Sequence, residues 1–171
     1  MNTQNASGKQ AGAPPAFGRY RLDVRLFDES MNQVDAFTLT QYVYMAPEGF
    51  VLRLARTSPD GRLVQYEDRG RIDTRMSISG SSGLGGELRG QAFPNGSVFL
   101  RGEGEAASFI MVATVIAPGH ARCLRRIEVR KPTPFATAEP LSPGVYYFTT
   151  EDYLEEASDV PPPELKEPLK S

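Results

Sequence analysis

The chain has 171 residues, 40% of them hydrophobic, a formal net charge of −2 and a single cysteine. That length is enough to bury the core of one domain and leave tails over, and one cysteine excludes an intramolecular disulfide, so nothing argues for an oxidising compartment. The longest apolar run, Phe109 to Ala117, is too short to cross a bilayer as a helix, and Lys9 is not followed by the apolar stretch of a secretory signal; the expected setting is cytoplasmic or intracellular, a virion included.

Residues 1–18, "MNTQNASGKQAGAPPAFG", are small, polar and rich in Gly and Pro, the composition of a flexible N-terminal arm that cannot bury enough surface to fold alone. The body begins at Arg19. In "RYRLDVRLF" Tyr20, Leu22, Val24 and Leu26 fall on one face and Arg19, Arg21, Asp23 and Arg25 on the other, the period of a half-buried strand. The same rhythm recurs in Ala36 to Ala46, in "FVLRLAR", in "RLVQYED" after the turn signal Ser58 to Gly61, and in "RIDTRMSIS", where Ile72, Met76 and Ile78 share the inward side. "ELRGQAF" and "SVFLRG" flank Pro94 to Gly96, and Asn-Gly between strands is a strong hairpin signal. "ASFIMVATVIA" loses the alternation and reads as buried on both faces; "RCLRRIEVRK" and "GVYYFTT" complete the set.

Short strands and turns with no helical period predict an all-β domain over 19–150, a single antiparallel sandwich or closed barrel of about eight strands. Residues 151–171 are expected to hold a short helix and then an extended tail. Thr149 stands before Asp152 as in a capping box, acids crowd the next turn, and "SDVPPPELKEPLKS" carries three consecutive prolines. From Thr149 onward seven acids face two lysines.

Chemistry is sparse. His120 and Cys123 are the one soft-ligand pair, too few for zinc, and an offset of three on a strand points them to opposite faces, against a nucleophile and its base. "SGSSGLG" lacks the Gly-x-Ser-x-Gly spacing, and "GEGEAA" (Gly102 to Ala107) has the outline of a dinucleotide fingerprint with a strand where the helix belongs. Adjacent carboxylates at Glu67–Asp68 and Asp28–Glu29 suit acid–base work only where one faces inward. No catalytic residue, cofactor or metal site is expected, and the chain is not expected to be an enzyme.

Two features suit contacts. "HARCLRRIEVRK" sets Arg122, Arg126 and Arg130 on one strand face, with Arg125 and Lys131 nearby, a basic face for nucleic acid phosphates or for the acids of the tail, Glu151, Asp152, Glu155 and Glu156. The glycines at 80, 83, 85 and 86 in "ISGSSGLGGELRG" have no following helix or lysine to hold an anion, and read as a flexible contact loop.

"ISGSSGLGGELRGQAF", about a tenth of the chain, resembles the glycine-rich strand-turn-strand of allene oxide cyclase and dirigent-like barrels. The resemblance implies eight strands around an apolar pocket, and a cyclase or isomerase as the activity of such a pocket. Three readings result. The leading one is a non-catalytic structural subunit of a homo-oligomer or larger, virion-type assembly, contacting proteins through arm, tail and loops. The alternatives are a small-molecule-binding barrel and a nucleic-acid-binding β module; a closed apolar interior with an inward-facing acid favours the barrel.

Overall fold

The computed structural model describes residues 17–158 and 160–170, so most of the expected N-terminal arm lies outside the described residues. Ten strands follow one another: β1 (Phe17–Phe27), β2 (Gln33–Ala46), β3 (Gly49–Thr57), β4 (Leu63–Ile72), β5 (Ser77–Ser81), β6 (Glu87–Ala92), β7 (Val98–Glu103), β8 (Ala107–Ala117), β9 (His120–Val129) and β10 (Gly144–Ser158). Each pairs antiparallel with its neighbours in sequence, and β1 pairs with β10 to close the ring. The all-β prediction holds as a closed barrel. Closure removes both sheet edges, which an open sheet of this length would have to protect.

Alternation explains the wall. In β1 Leu22, Val24 and Leu26 are buried while Arg21, Asp23 and Arg25 are exposed. Leu39, Phe50, Leu52, Leu54, Leu100 and Phe109 join them in one core. β8 alternates too: Phe109 and Met111 point in, whereas Ile110 and Val112 are 47% and 46% exposed beside Leu124, so the strand read as buried on both faces has a solvent side. Met76, expected inside a strand, instead sits in the turn after β4 at φ 64°, its amide donating to the Asp73 carbonyl at 3.0 Å.

The expected helix after Thr149 is the second half of β10. Its residues hydrogen-bond to β1 on one side and, as far as Tyr153, to β9 on the other. A capping signal is worth about 1 kcal/mol, and two flanking ladders outweigh it.

The tail then turns back along the outside. Pro163–Leu165 forms one 3₁₀ turn, and Leu165 is buried against Phe17 and Val51. Beneath it Arg53 of β3 and Glu67 of β4 face outward as cross-strand partners, joined at 2.6 Å. Arg53 Nη2 donates to the Glu167 carbonyl at 2.9 Å and Arg69 Nη2 to the Leu165 carbonyl at 2.6 Å. The tail docks by its backbone onto arginines other than those of the predicted basic face.

Candidate functional site in the barrel interior

Three charged side chains, Asp68, Arg125 and Asp152, are buried inside the ring, and each occupies an inward position in its strand's alternation. On β4, Tyr66 and Asp68 point in while Glu67 points out, so the adjacent carboxylates singled out in the sequence divide between core and surface. On β9 the inward series is Cys123, Arg125, Ile127 and Val129. On β10 Phe148 and Asp152 are inward and buried.

Asp68 is fully buried. Its Oδ1 accepts from the Tyr66 hydroxyl at 2.7 Å and from the Gly83 amide at 3.0 Å, and Ser82 Oγ lies 3.2 Å from the Tyr66 oxygen. Asp68 Oδ2 has no partner among the described residues. Burial, the largest effect, pushes the Asp68 carboxyl above the usual carboxylate range against the pull of the Arg125 charge, and pushes the Tyr66 hydroxyl well above the usual phenol range.

Gly83 belongs to the stretch predicted as a flexible contact loop, and this is where that stretch acts. The turn between β5 and β6 is tied by Ser82 N–H to the Gly86 carbonyl (2.9 Å) and Leu84 N–H to Ser82 Oγ (3.1 Å), with Gly85 at φ 91°. A Cβ on Gly80 would lie 2.1 Å from the Arg69 carbonyl oxygen. The glycines permit close backbone approach and let one amide reach a buried acid.

Arg125, 4% exposed, is the central feature of the interior. It stands opposite Met111 of β8 and Phe148 of β10, and its Nη2 lies 3.0 Å from Met111 Sδ. Its guanidinium carbon is 4.5 Å from the Phe109 ring centre, 4.8 Å from Phe135 and 5.7 Å from Tyr66, an aromatic frame suited to a cation. Its Nη1 has no hydrogen-bond partner, and among the described residues it forms no ion pair.

Phe135 comes from the connection between β9 and β10, residues 130–143. A bridge between Thr133 and Leu141 pinches this loop, and its tip, Phe135 and Ala136, is buried inside the ring. Phe135 packs at 4.5 Å from Tyr66 and 5.2 Å from Phe148. Two interior spaces remain, of about 30 Å³ beside Arg125 and Phe135 and about 80 Å³ beside Tyr20 and Asp152. They share Gln41, Met111 and Cys123 as lining, so the two spaces adjoin inside the barrel and together make up its chamber.

Asp152 sits at the second end. Burial raises its carboxyl to about 6, opposed by the hydrogen bond from Thr150 and by the Arg125 charge, and Cys123, desolvated in the same wall, is pushed up to about 12. The Cys123 thiol therefore stays protonated at neutral pH, and His120 lies on Glu151 and Tyr153 instead of near it. Because Asp152 binds its proton more tightly folded than unfolded, its contribution to stability is fully present below pH about 4 and is lost as the pH rises through about 6. Asp152→Asn is thus expected to stabilise the barrel by up to about 3 kcal/mol at pH 8 and by nothing near pH 3.5. Urea unfolding at the two pH values checks this; equal effects at both would show that Asp152 is not desolvated in the native state.

The predicted contact residues are dispersed. Arg122 pairs with Glu151 at 2.6 Å, Arg126 with Glu128 at 3.6 Å, and Lys131 with Glu105. Arg130 Nη2 donates to the Gly104 carbonyl at 2.6 Å. Glu155 and Glu156 meet Arg19 at the β1–β10 seam, and Asp152 faces away from all of them. Among the described residues, Arg122 with Glu151 is the one contact between the basic face and the tail acids. Sequence reading missed Arg125 as a site residue, although its place in frame with Cys123, Ile127 and Val129 is the signal that finds it. Among the described residues no group of three or more His, Cys, Asp or Glu could hold a metal ion, and no helix is long and apolar enough to cross a membrane.

No family model and no curated protein matches the chain. Among solved structures, the S-type phycobiliprotein lyase CpeS of Guillardia theta is similar with a TM-score of 0.53 and 6% identity, over 82% of this chain and 89% of that one. An AttH of Nitrosomonas europaea follows at a TM-score of 0.33 and 12% identity, over 84% and 53%. The class defined is therefore a fold, a closed antiparallel barrel shared with a phycobiliprotein lyase. The structural-subunit reading is corrected at this point. It leaned on a tail free to reach partners, whereas the described tail is seated on its own barrel, and the fold shared is that of a phycobiliprotein lyase.

Proposed function

We propose that this chain is a small-molecule-binding barrel that holds a largely apolar organic molecule in the chamber between the Arg125 and Asp152 ends, acting by binding and not by catalysis. The observation that carries this reading is the interior itself: a largely apolar chamber with residual space, three buried charged side chains and the orphaned Asp68 Oδ2 and Arg125 Nη1. Each buried polar group without a partner costs about 1–3 kcal/mol. A barrel shaped for stability alone would hold apolar side chains there. The free spaces are smaller than the 300–1,000 Å³ typical of ligand pockets, so binding requires the Phe135 loop to withdraw and yield its volume.

The test is saturable binding of a neutral solvatochromic dye such as Nile red. One site per chain is expected, weakened at least tenfold by Ala113→Leu, which fills the 80 Å³ end and is checked for folding by circular dichroism. Absence of saturable binding in both the natural chain and Phe135→Ala refutes the reading.

A further inference from the structure

We propose that the molecule bound in this chamber carries a carboxylate, and that Arg125 is the residue that receives it. This deepens the binding reading above and rests on it. Four observations converge. Arg125 is 4% exposed yet holds a permanently charged group, and burying such a group is costly unless a counter-charge and acceptors are supplied. Among the described residues its Nη1 has no acceptor, and its Nη2 has only the sulfur of Met111, a weak one. The three rings around it leave the guanidinium edge as the charged feature at that end of the chamber, beside the neutral Gln41 and Thr150.

The fourth observation concerns charge. The inward acid Asp68 commits Oδ1 to Tyr66 and Gly83, and neither it nor Asp152 forms an ion pair with Arg125 among the described residues. Both inward acids, Asp68 and Asp152, are driven toward their neutral forms by burial. A second inward arginine, Arg56, lies over Phe37, which lines the Arg125 end, at 4.0 Å, and its Nη1 is likewise unpartnered. A planar two-oxygen anion matches the arginine fork, because one oxygen can accept from the unpartnered Nη1 and the other from Nη2, which otherwise has only the Met111 sulfur. The rest of the molecule is apolar, since Leu22, Leu39, Leu54, Met111 and Phe148 make the surrounding wall.

The experiment is competition against bound Nile red by decanoate and by decanol, molecules of equal chain length that differ in the head group, at pH 7.5. Decanoate is expected to displace the dye at a concentration at least tenfold lower than decanol. In Arg125→Met, an apolar replacement of similar length that leaves no buried charge behind, the two should fall within about threefold of each other, with decanol unchanged or improved. Arg125→Lys is expected to recover part of the acid preference, because it keeps the charge and loses the fork. Equal displacement by acid and alcohol in the natural chain overturns the assignment while leaving the binding reading intact, and so does an acid preference that survives Arg125→Met. Failure of the dye to bind at all refutes the binding reading, and this inference with it.

Discussion

Glu67→Ala is expected to destabilise the protein by about 3–5 kcal/mol, the usual cost of stranding one member of a buried ion pair. Glu67 and Arg53 face each other across β3 and β4, their side chains 6% and 8% exposed, and Arg69 Nε adds a second bond to the same carboxylate at 2.9 Å. What buries them is the tail. Leu165 fills an apolar notch beside the pair, and the carbonyls of Leu165 and Glu167 accept from the two arginines. Removing the carboxylate leaves two cations side by side under a lid of backbone. The structure then relaxes by lifting the tail. Guanidinium unfolding gives the energy, and amide exchange of residues 160–170 shows whether the tail has been released. Glu67→Gln, which keeps an acceptor without the charge, should cost less than Glu67→Ala. A loss below about 1 kcal/mol for Glu67→Ala would mean that water, and not the tail, covers this pair in solution.

Phe135→Ala is expected to lower stability by about 3–5 kcal/mol, the range for a buried phenylalanine truncated in a packed core, while tightening the binding of an apolar probe at least tenfold. The two effects share one cause. Phe135 touches Tyr66, Phe109 and Phe148 and stacks on Arg125, so its ring supplies much of the packing at that end of the chamber. It also occupies the volume that a ligand needs. The next residue, Ala136, is held at φ 53°, a left-handed conformation that costs a residue with a Cβ about 1 kcal/mol or more. The loop is thus poised in its seat at some cost in strain. Dye titration and denaturant unfolding of the same variant test both halves. If stability falls and affinity falls with it, Phe135 is a simple core residue and the loop does not gate the chamber.

Much of the wall was legible in sequence because its signals are local. Alternation in "RYRLDVRLF" places Leu22, Val24 and Leu26 inside, and they are there. The Asn-Gly at 95–96 predicts a hairpin, and Gly96 sits at φ 87° with the Phe93 amide donating to the Ser97 carbonyl at 2.9 Å. The site was less legible. Asp68 was singled out only as half of an acidic pair, and Arg125 only as one of several cations in "HARCLRRIEVRK". The strand period that buries Ile127 and Val129 places Arg125 on the same side. Reading the basic run as a surface stripe set that period aside.

The sequence by itself determined most of the strands and their turns, and the inward side of several strands, because these depend on side-chain alternation and turn chemistry within a few residues. Only the tertiary structure decided that β1 and β10 close the ring, that "EDYLEEA" becomes strand instead of helix, that the tail covers Arg53 and Glu67, and that the 130–143 loop turns into the barrel instead of away from it. Each of these joins residues far apart in the chain. Whether a charged side chain meets water or a wall is set by which strands become neighbours, and the functional reading moved from the surface arginines to Arg125 when the ring closed around it.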